Sequence, residues 1–358
     1  MPDLAAALAS LPVLGYVFQL VEYVIANLPV IAQTTVAVAI PITLAALTGV
    51  MCERSGVVNI GLEGIMLIAA FVGWVVGVVA VGFFPAQSDL VFGVTPALLI
   101  GLAAAILAGM AVSLLHAWLS ISLRVDQIIS GTIINIAAIG LTGYLNNLIS
   151  GQSPVGAGNF TPLRVPSAIA DLPLVGWLLN AIFNQGPIGI TTIVIIALLQ
   201  VMLFRSRWGL RTRAAGEHPR AAETVGIDVI WLRYRNVVLA GSLAALGGAW
   251  LSMEQTNSFQ PGMTAGRGFI GLAAMIVGRW TPIGAFGAAL LFSSATALSS
   301  AIVIAPPSGD LGTALAGVPS QFWDALPYLI TIIVLAGVVG RSVAPAADGQ
   351  PYEREAAT

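Results

Sequence analysis

Ten stretches of this chain are apolar for about the 20 residues that an α-helix needs to cross a bilayer core. They lie near 11–31, 33–52, 61–83, 95–119, 127–149, 187–204, 236–254, 264–280, 283–304 and 322–340. In hydrocarbon every backbone N–H and C=O must find its partner inside the protein, so such stretches become helices. The sequence therefore predicts an all-α polytopic membrane protein of about ten transmembrane helices. Charge supports this: only 8% of residues are charged, against about 25% in a soluble domain. The stretch at 11–31 carries Glu22 and Pro29, and reads as either a first membrane helix or an amphipathic helix in the interface. The stretch at 264–280 is short and glycine-rich, as a re-entrant segment would be.

Arginine placement sets the expected orientation. The chain has no lysine, and its 14 cationic residues are all arginines. With ten spans and both termini in the cytoplasm, only Arg164 and Arg267 fall outside, and the other arginines obey the positive-inside rule. No basic region precedes the first apolar stretch, so the N-terminus does not read as a cleaved signal. Residues 150–186, rich in Gly, Pro, Ser and Asn, read as an external loop. Residues 205–235 read as a cytoplasmic loop holding seven of the 14 arginines. Residues 342–358 read as a disordered cytoplasmic tail. Ten helices divide into two halves of five, which would be inverted with respect to each other. The third helix of each half would then begin with a glycine-broken polar stretch, Ser55–Gly64 and Gly262–Gly268.

Within 205–235, the run from Pro219 to Gly226 has proline at a first helical position and glycine just past the end, which is how a short helix is punctuated. Glu217 stands before it, where a helix N-terminus favours negative charge. Small Ala221 and Ala222 would let this knob enter a groove on a partner. The plain alternative is a solvated basic loop that only sets orientation.

Polar residues inside membrane stretches are costly and usually face a bundle interior or a wet cavity. The substrate-pathway candidates are Asn59, Glu63, Asn135, Glu254 and Asn257, which can pair with hydroxyls or amide edges, and Phe269, which can stack. Phe259 and Trp280 are further aromatic candidates, although Trp280 also suits an interface anchor. Each has a structural alternative. Asn59 and Glu63 can close hydrogen bonds to the broken backbone around them, and Asn135 can bond one helix to another. Arg267 can pair with Glu254 at the outer mouth, and Glu53 with Arg54 at a helix end. His116, His218 and Cys52 have no metal-ligating neighbours at suitable spacing, so no metal site is expected. A P-loop needs a lysine, so ATP is not hydrolysed by this chain.

Three motifs carry a family resemblance. The segment Gly216–Ile227, with Glu217, Pro219, Arg220, Ala221, Ala222, Glu223 and Gly226, resembles the ATPase-docking loop of bacterial ABC importer permeases. It looks most like the family serving ribose, branched-chain amino acids and nucleosides. Glu223 departs from some relatives of that motif. The segments Glu53–Gly64 and Gly266–Trp280 resemble the nucleoside (purine or uridine) branch. The resemblance implies a transmembrane permease domain over 33–341, preceded by the N-terminal helix of 1–32. It also implies a separate cytoplasmic ABC ATPase that binds ATP and Mg, so this chain needs no cofactor of its own. A second, related permease chain and an extracytoplasmic solute-binding lipoprotein complete the expected assembly in the bacterial inner membrane; no nucleic-acid partner is expected. A permease for a simple sugar or a branched-chain amino acid, and an ion-coupled secondary transporter using Glu63 and Glu254, are the competing functions.

Overall fold

The computed structural model describes residues 12–84, 93–150, 157–170, 172, 175–333, 336 and 342–353. Among them there are helices and connections but no strand. In chain order the helices are α1 (Pro12–Ala26), α2 (Leu28–Glu53), α3 (Leu62–Val81), α4 (Pro96–Ala117), α5 (Gln127–Ser150), α6 (Ser167–Ala170), α7 (Gly176–Phe183) and α8 (Pro187–Arg205). They continue with α9 (Arg207–Glu217), α10 (Pro219–Thr224), α11 (Val229–Ala249), α12 (Arg267–Val277), α13 (Pro282–Ile304), α14 (Gly309–Ala316) and α15 (Ser320–Ile333). Wider π-helical turns extend α4 over Trp118–Ser122 and α11 over Trp250–Gln255.

Among the described residues, seven helices are long and apolar enough to cross a membrane: α2, α3, α4, α5, α8, α11 and α13. The expected first stretch breaks at Asn27, and α1 is 15 residues long, less than the ~20 that a straight span requires. The second begins at Leu28, not near 33, with Pro29 in its first turn, where a missing N–H costs nothing. The expected eighth stretch yields only the 11 residues of α12. The seventh starts at Val229 instead of near 236, because Asp228 caps it by accepting from the Trp231 N–H at 3.0 Å.

The chain divides into two compact units. One comprises residues 1–39, 164–184 and 290–338. There Tyr23 donates to the Ala305 carbonyl at 2.9 Å, and Gln19 accepts from the Leu311 N–H at 3.0 Å. The other comprises residues 40–163, 185–289 and 339–358. Its centre is α3, packed against α4, α5 and α11. Without a hydrophobic drive between helices in lipid, small residues permit the contact. A Cβ at Gly248 of α11 would stand 2.0 Å from the Met66 carbonyl of α3, and one at Gly101 of α4 would stand 2.6 Å from that of Gly73.

The tail corrects an expectation. Residues 342–353 fold back as an ordered strap onto the second unit. The Ala347 N–H donates to Gly216 O at 2.9 Å, and Arg233 donates to Gln350 O at 3.0 Å. Tyr352 is buried among Ala215, Ala222, Val229 and Leu232. Small, polar residues suggested disorder, but backbone hydrogen bonds and one aromatic anchor outweigh that composition. Residues 354–358 lie outside the described residues.

The strap also holds a half-buried acid. Burial pushes the Asp348 carboxyl up to about 6, against hydrogen bonds with Glu53 and the Gly349 N–H and the charge of Arg233, which pull it down. A carboxyl raised in the folded state stabilises it below its unfolded pKa, and the benefit is lost as pH rises through the folded value. The strap is therefore expected to loosen between about pH 4 and pH 7. Hydrogen exchange of residues 345–352, corrected for intrinsic rates, should be faster at pH 7.5 than at pH 5. Equal protection at both would contradict the half-buried carboxyl.

Candidate functional site

The segment between α2 and α3 leaves helical geometry at Arg54–Gly61, so its backbone groups need partners from elsewhere. Side chains supply them. Arg233 Nε donates to Ser55 O at 3.0 Å. The Val58 N–H donates to Gln127 at 2.7 Å, and Val58 O accepts from His116 Nε2 at 2.9 Å. Asn135 donates to Ile60 O at 3.0 Å and accepts from the Gly64 N–H at 2.7 Å. Asn59 accepts from the Gly61 N–H at 3.0 Å. Helices α4, α5 and α11 thus each contribute a polar side chain to hold one broken stretch open within the bundle. Irregular backbone at membrane depth is tolerated only when protein or a wet cavity satisfies it in this way.

Glu63 joins this break to the second one. Its carboxylate accepts from the Gly266 and Gly268 N–H groups, both at 2.7 Å, and caps the N-terminus of α12. An anion here answers both the orphan donors and the helix dipole. Gly268 permits the approach, since a Cβ there would meet the Glu63 backbone at 2.7 Å. Glu254 repeats the device on α8, accepting from the Ile188 N–H at 2.8 Å and the Gly189 N–H at 3.3 Å. Each acid sits in one polypeptide segment and caps a helix in another.

A third junction closes the far end of α12. Arg279 and Trp280 both take left-handed backbone angles, φ 55° and 51°, a costly choice for residues other than glycine. Arg54 stabilises it by donating to Trp280 O at 3.0 Å and Arg279 O at 3.2 Å. The Trp280 indole N–H donates to Glu53 at 2.5 Å. Two expectations are corrected here. Glu53 and Arg54 grip this turn in place of a local pair, and Trp280 is buried rather than exposed at the interface. Arg54 lies beyond the helix, and burial holds its guanidinium below the usual arginine range.

The pathway candidates therefore separate. Glu63, Asn135 and Glu254 direct polar atoms at backbone groups, and Asn59 divides its amide between the Gly61 N–H and the Cys52 sulfur. Glu254 caps α8 and Arg267 donates to Met263 O and Thr264 O, which takes the place of the expected pairing. Phe259 is enclosed, edge-on to Phe71 at 5.1 Å. Phe269 on α12 is 48% exposed, and Asn257 is half-buried in a left-handed turn with φ 52°. Sequence reasoning missed His116, Gln127 and Arg233. An arginine in the first turns of a long apolar helix was the available signal, but Arg233, like its neighbour Arg235, was read as loop charge.

The run from Pro219 does form a helix, α10, with proline in its first turn. Gly226 follows it with φ 85°. Ala221 is exposed, whereas Ala222 is buried against Ala215, Val229, Leu232 and Tyr352. Only one of the two alanines can meet a partner, because the other anchors α10 to its own chain. Glu217 accepts from the Ala346 N–H at 3.1 Å, and Glu223 accepts from the Tyr352 hydroxyl. Both acids thus bind the strap. Arg220 lies with Glu217, Pro219 and Ala221 on the wall of an open cavity.

The chain matches, over residues 31–335, the family described as branched-chain amino acid transport system / permease component. It is 37% identical over 330 residues to the guanosine ABC transporter permease protein NupQ of Bacillus subtilis, covering 91% of this chain and 97% of that protein. It is also 37% identical over 332 residues to the nucleoside ABC transporter permease protein NupC of Lactococcus lactis, covering 92% and 98%. The putative glucose ABC transporter permease protein TsgC13 of Haloferax volcanii is 32% identical over 337 residues, covering 90% and 97%. No solved structure matches the chain.

Proposed function

Because this chain belongs to the permease-component family of branched-chain amino acid transport systems, we propose that it is the membrane-spanning subunit of an ABC importer that brings a nucleoside into the cell. The observation that carries the substrate class is the 37% identity, over nine-tenths of the chain, to permeases named for guanosine and for nucleosides. The putative glucose permease at 32% supports a sugar as the second reading. The protein is a multi-pass membrane protein, and the transport reading assigns ATP hydrolysis to a separate cytoplasmic ATPase docked at α10.

Transport proceeds by alternating access. A solute-binding protein delivers the nucleoside to the outer mouth, and ATP binding closes the ATPases and moves α10. The strap and Arg233 connect α10 to the broken stretch at 54–61 (Tyr352 on one side, Ser55 on the other). Glu63 passes the displacement to α12, where Phe269 is available to stack on a base. A second, related permease chain lines the other half of the path. The outer face of α5 suits such a neighbour or lipid, with Ile128, Ile133 and Ile136 all more than half exposed. With ten spans both termini lie in the cytoplasm, although α1 and α12 would have to cross together with their flanking residues.

Uptake of labelled guanosine, adenosine and uridine in cells with and without the gene tests the substrate. Deletion is expected to abolish nucleoside uptake that excess glucose, ribose or leucine does not compete. Unchanged nucleoside uptake with lost glucose uptake would transfer the assignment to the sugar reading.

A further inference from the structure

A cleft of about 680 Å³ opens beside α10, outside the membrane-spanning helices. One wall is Glu217–Ala221, the end of α9 and the start of α10. The other is the C-terminal strap, with Ala346, Gln350, Pro351 and Glu353. Both walls are fixed. Glu217 holds the Ala346 N–H, Ala347 donates to Gly216 O, and Tyr352 is buried beneath α10 with its hydroxyl on Glu223. Arg124 pairs with Glu353 and secures the end of the strap. The inner face of the strap is thus bound to this chain, while Ala346, Gln350, Pro351 and Glu353 face outward.

We propose that the importer's ATPase seats in this cleft, so that its docking surface is α10 and the C-terminal strap together, not the helix alone. The inference rests on the docking reading of α10 given above. Continuity supports the choice of occupant, because a partner that approaches exposed Ala221 meets the strap within the same cavity. The lining chemistry supports it as well. Short side chains at Ala221 and Ala346 leave the cleft open, and Glu217, Arg220 and Glu353, the last paired with Arg124, give it a rim of mixed charge. A partner segment carrying charges of both signs beside small apolar residues fits such a surface. The strap also has a mechanical consequence. Its Gln350 carbonyl and the Ser55 carbonyl share the guanidinium of Arg233, so a push on the strap reaches the broken membrane segment by a route that bypasses α10.

The test titrates the importer's separately purified ATPase onto the full chain reconstituted in lipid. Ala346→Trp fills the cleft from the strap side, and Gln350→Arg alters the same wall by charge. Both side chains are exposed, so the inner contacts persist. Val343→Trp, on the tail but outside the cleft and 78% exposed, is the control. The expected result is at least tenfold weaker ATPase binding for Ala346→Trp and Gln350→Arg, with wild-type binding for Val343→Trp and wild-type elution of all three permeases on a sizing column. Wild-type binding by either cleft variant, while Ala221→Arg still abolishes it, overturns the composite surface and leaves docking at α10 intact. Wild-type binding by Ala221→Arg as well overturns the docking reading itself.

Discussion

Replacing Glu63 by alanine is expected to destabilise the purified protein by about 3–6 kcal/mol, from two charge-assisted hydrogen bonds worth roughly 1.5–3 kcal/mol each. The Gly266 and Gly268 N–H groups would be left without an acceptor at the start of α12, and a carboxylate link between the two broken stretches would be gone. Glu63→Gln keeps the shape but has one acceptor oxygen, so it should lose about half as much. Membrane proteins commonly unfold irreversibly, so the readout is the apparent Tm at one fixed scan rate in detergent. The order wild type, Glu63→Gln, Glu63→Ala is expected. An unaltered Tm in both variants would remove Glu63 from the scaffold. A stable Glu63→Gln protein that no longer transports would instead return it to the solute pathway.

The adjacent alanines of α10 should give opposite outcomes. Ala222→Arg places a guanidinium among Ala215, Val229, Leu232 and Tyr352, where an unpaired buried charge costs several kcal/mol and overpacking adds about 1–3 kcal/mol. The strap and α10 should separate, and limited proteolysis should cut residues 205–235 and shed the tail. Ala221→Arg adds the same charge on the exposed side. That protein should reach the membrane at wild-type levels with an unchanged apparent Tm, while ATPase binding and uptake fall at least tenfold. Proteolytic resistance in Ala222→Arg would contradict the buried packing. Normal uptake in Ala221→Arg would remove α10 from docking.

Much of the architecture was legible because its causes are local. A run of apolar residues dictates a spanning helix wherever it occurs, which is why α2 to α5, α8, α11 and α13 overlap the stretches where hydropathy placed them, although α2 and α11 start five and seven residues earlier than expected. Proline and glycine punctuate α10 in the same local way. The polar stretches at 55–64 and 262–268 also announced themselves as breaks. What the breaks bind was not legible. Asn59, Glu63, Asn135 and Glu254 look alike in sequence whether they face solute or a backbone N–H, because the choice depends on a partner 65 to 205 positions away in the chain for three of them.

The tail and Arg233 show the same limit from the other side. Composition favoured a disordered tail and a loop arginine, since neither has a local partner. The sequence by itself determined that the chain is helical, membrane-bound and broken at two glycine-rich points, because burial in hydrocarbon leaves the backbone no other way to satisfy its hydrogen bonds. Only the tertiary structure decided which acid caps which helix, that Ala222 faces inward while Ala221 faces out, and that residues 342–353 bind α10. Those outcomes are set by which orphaned N–H, carbonyl or apolar surface another segment brings within reach, and no single stretch of sequence carries that information.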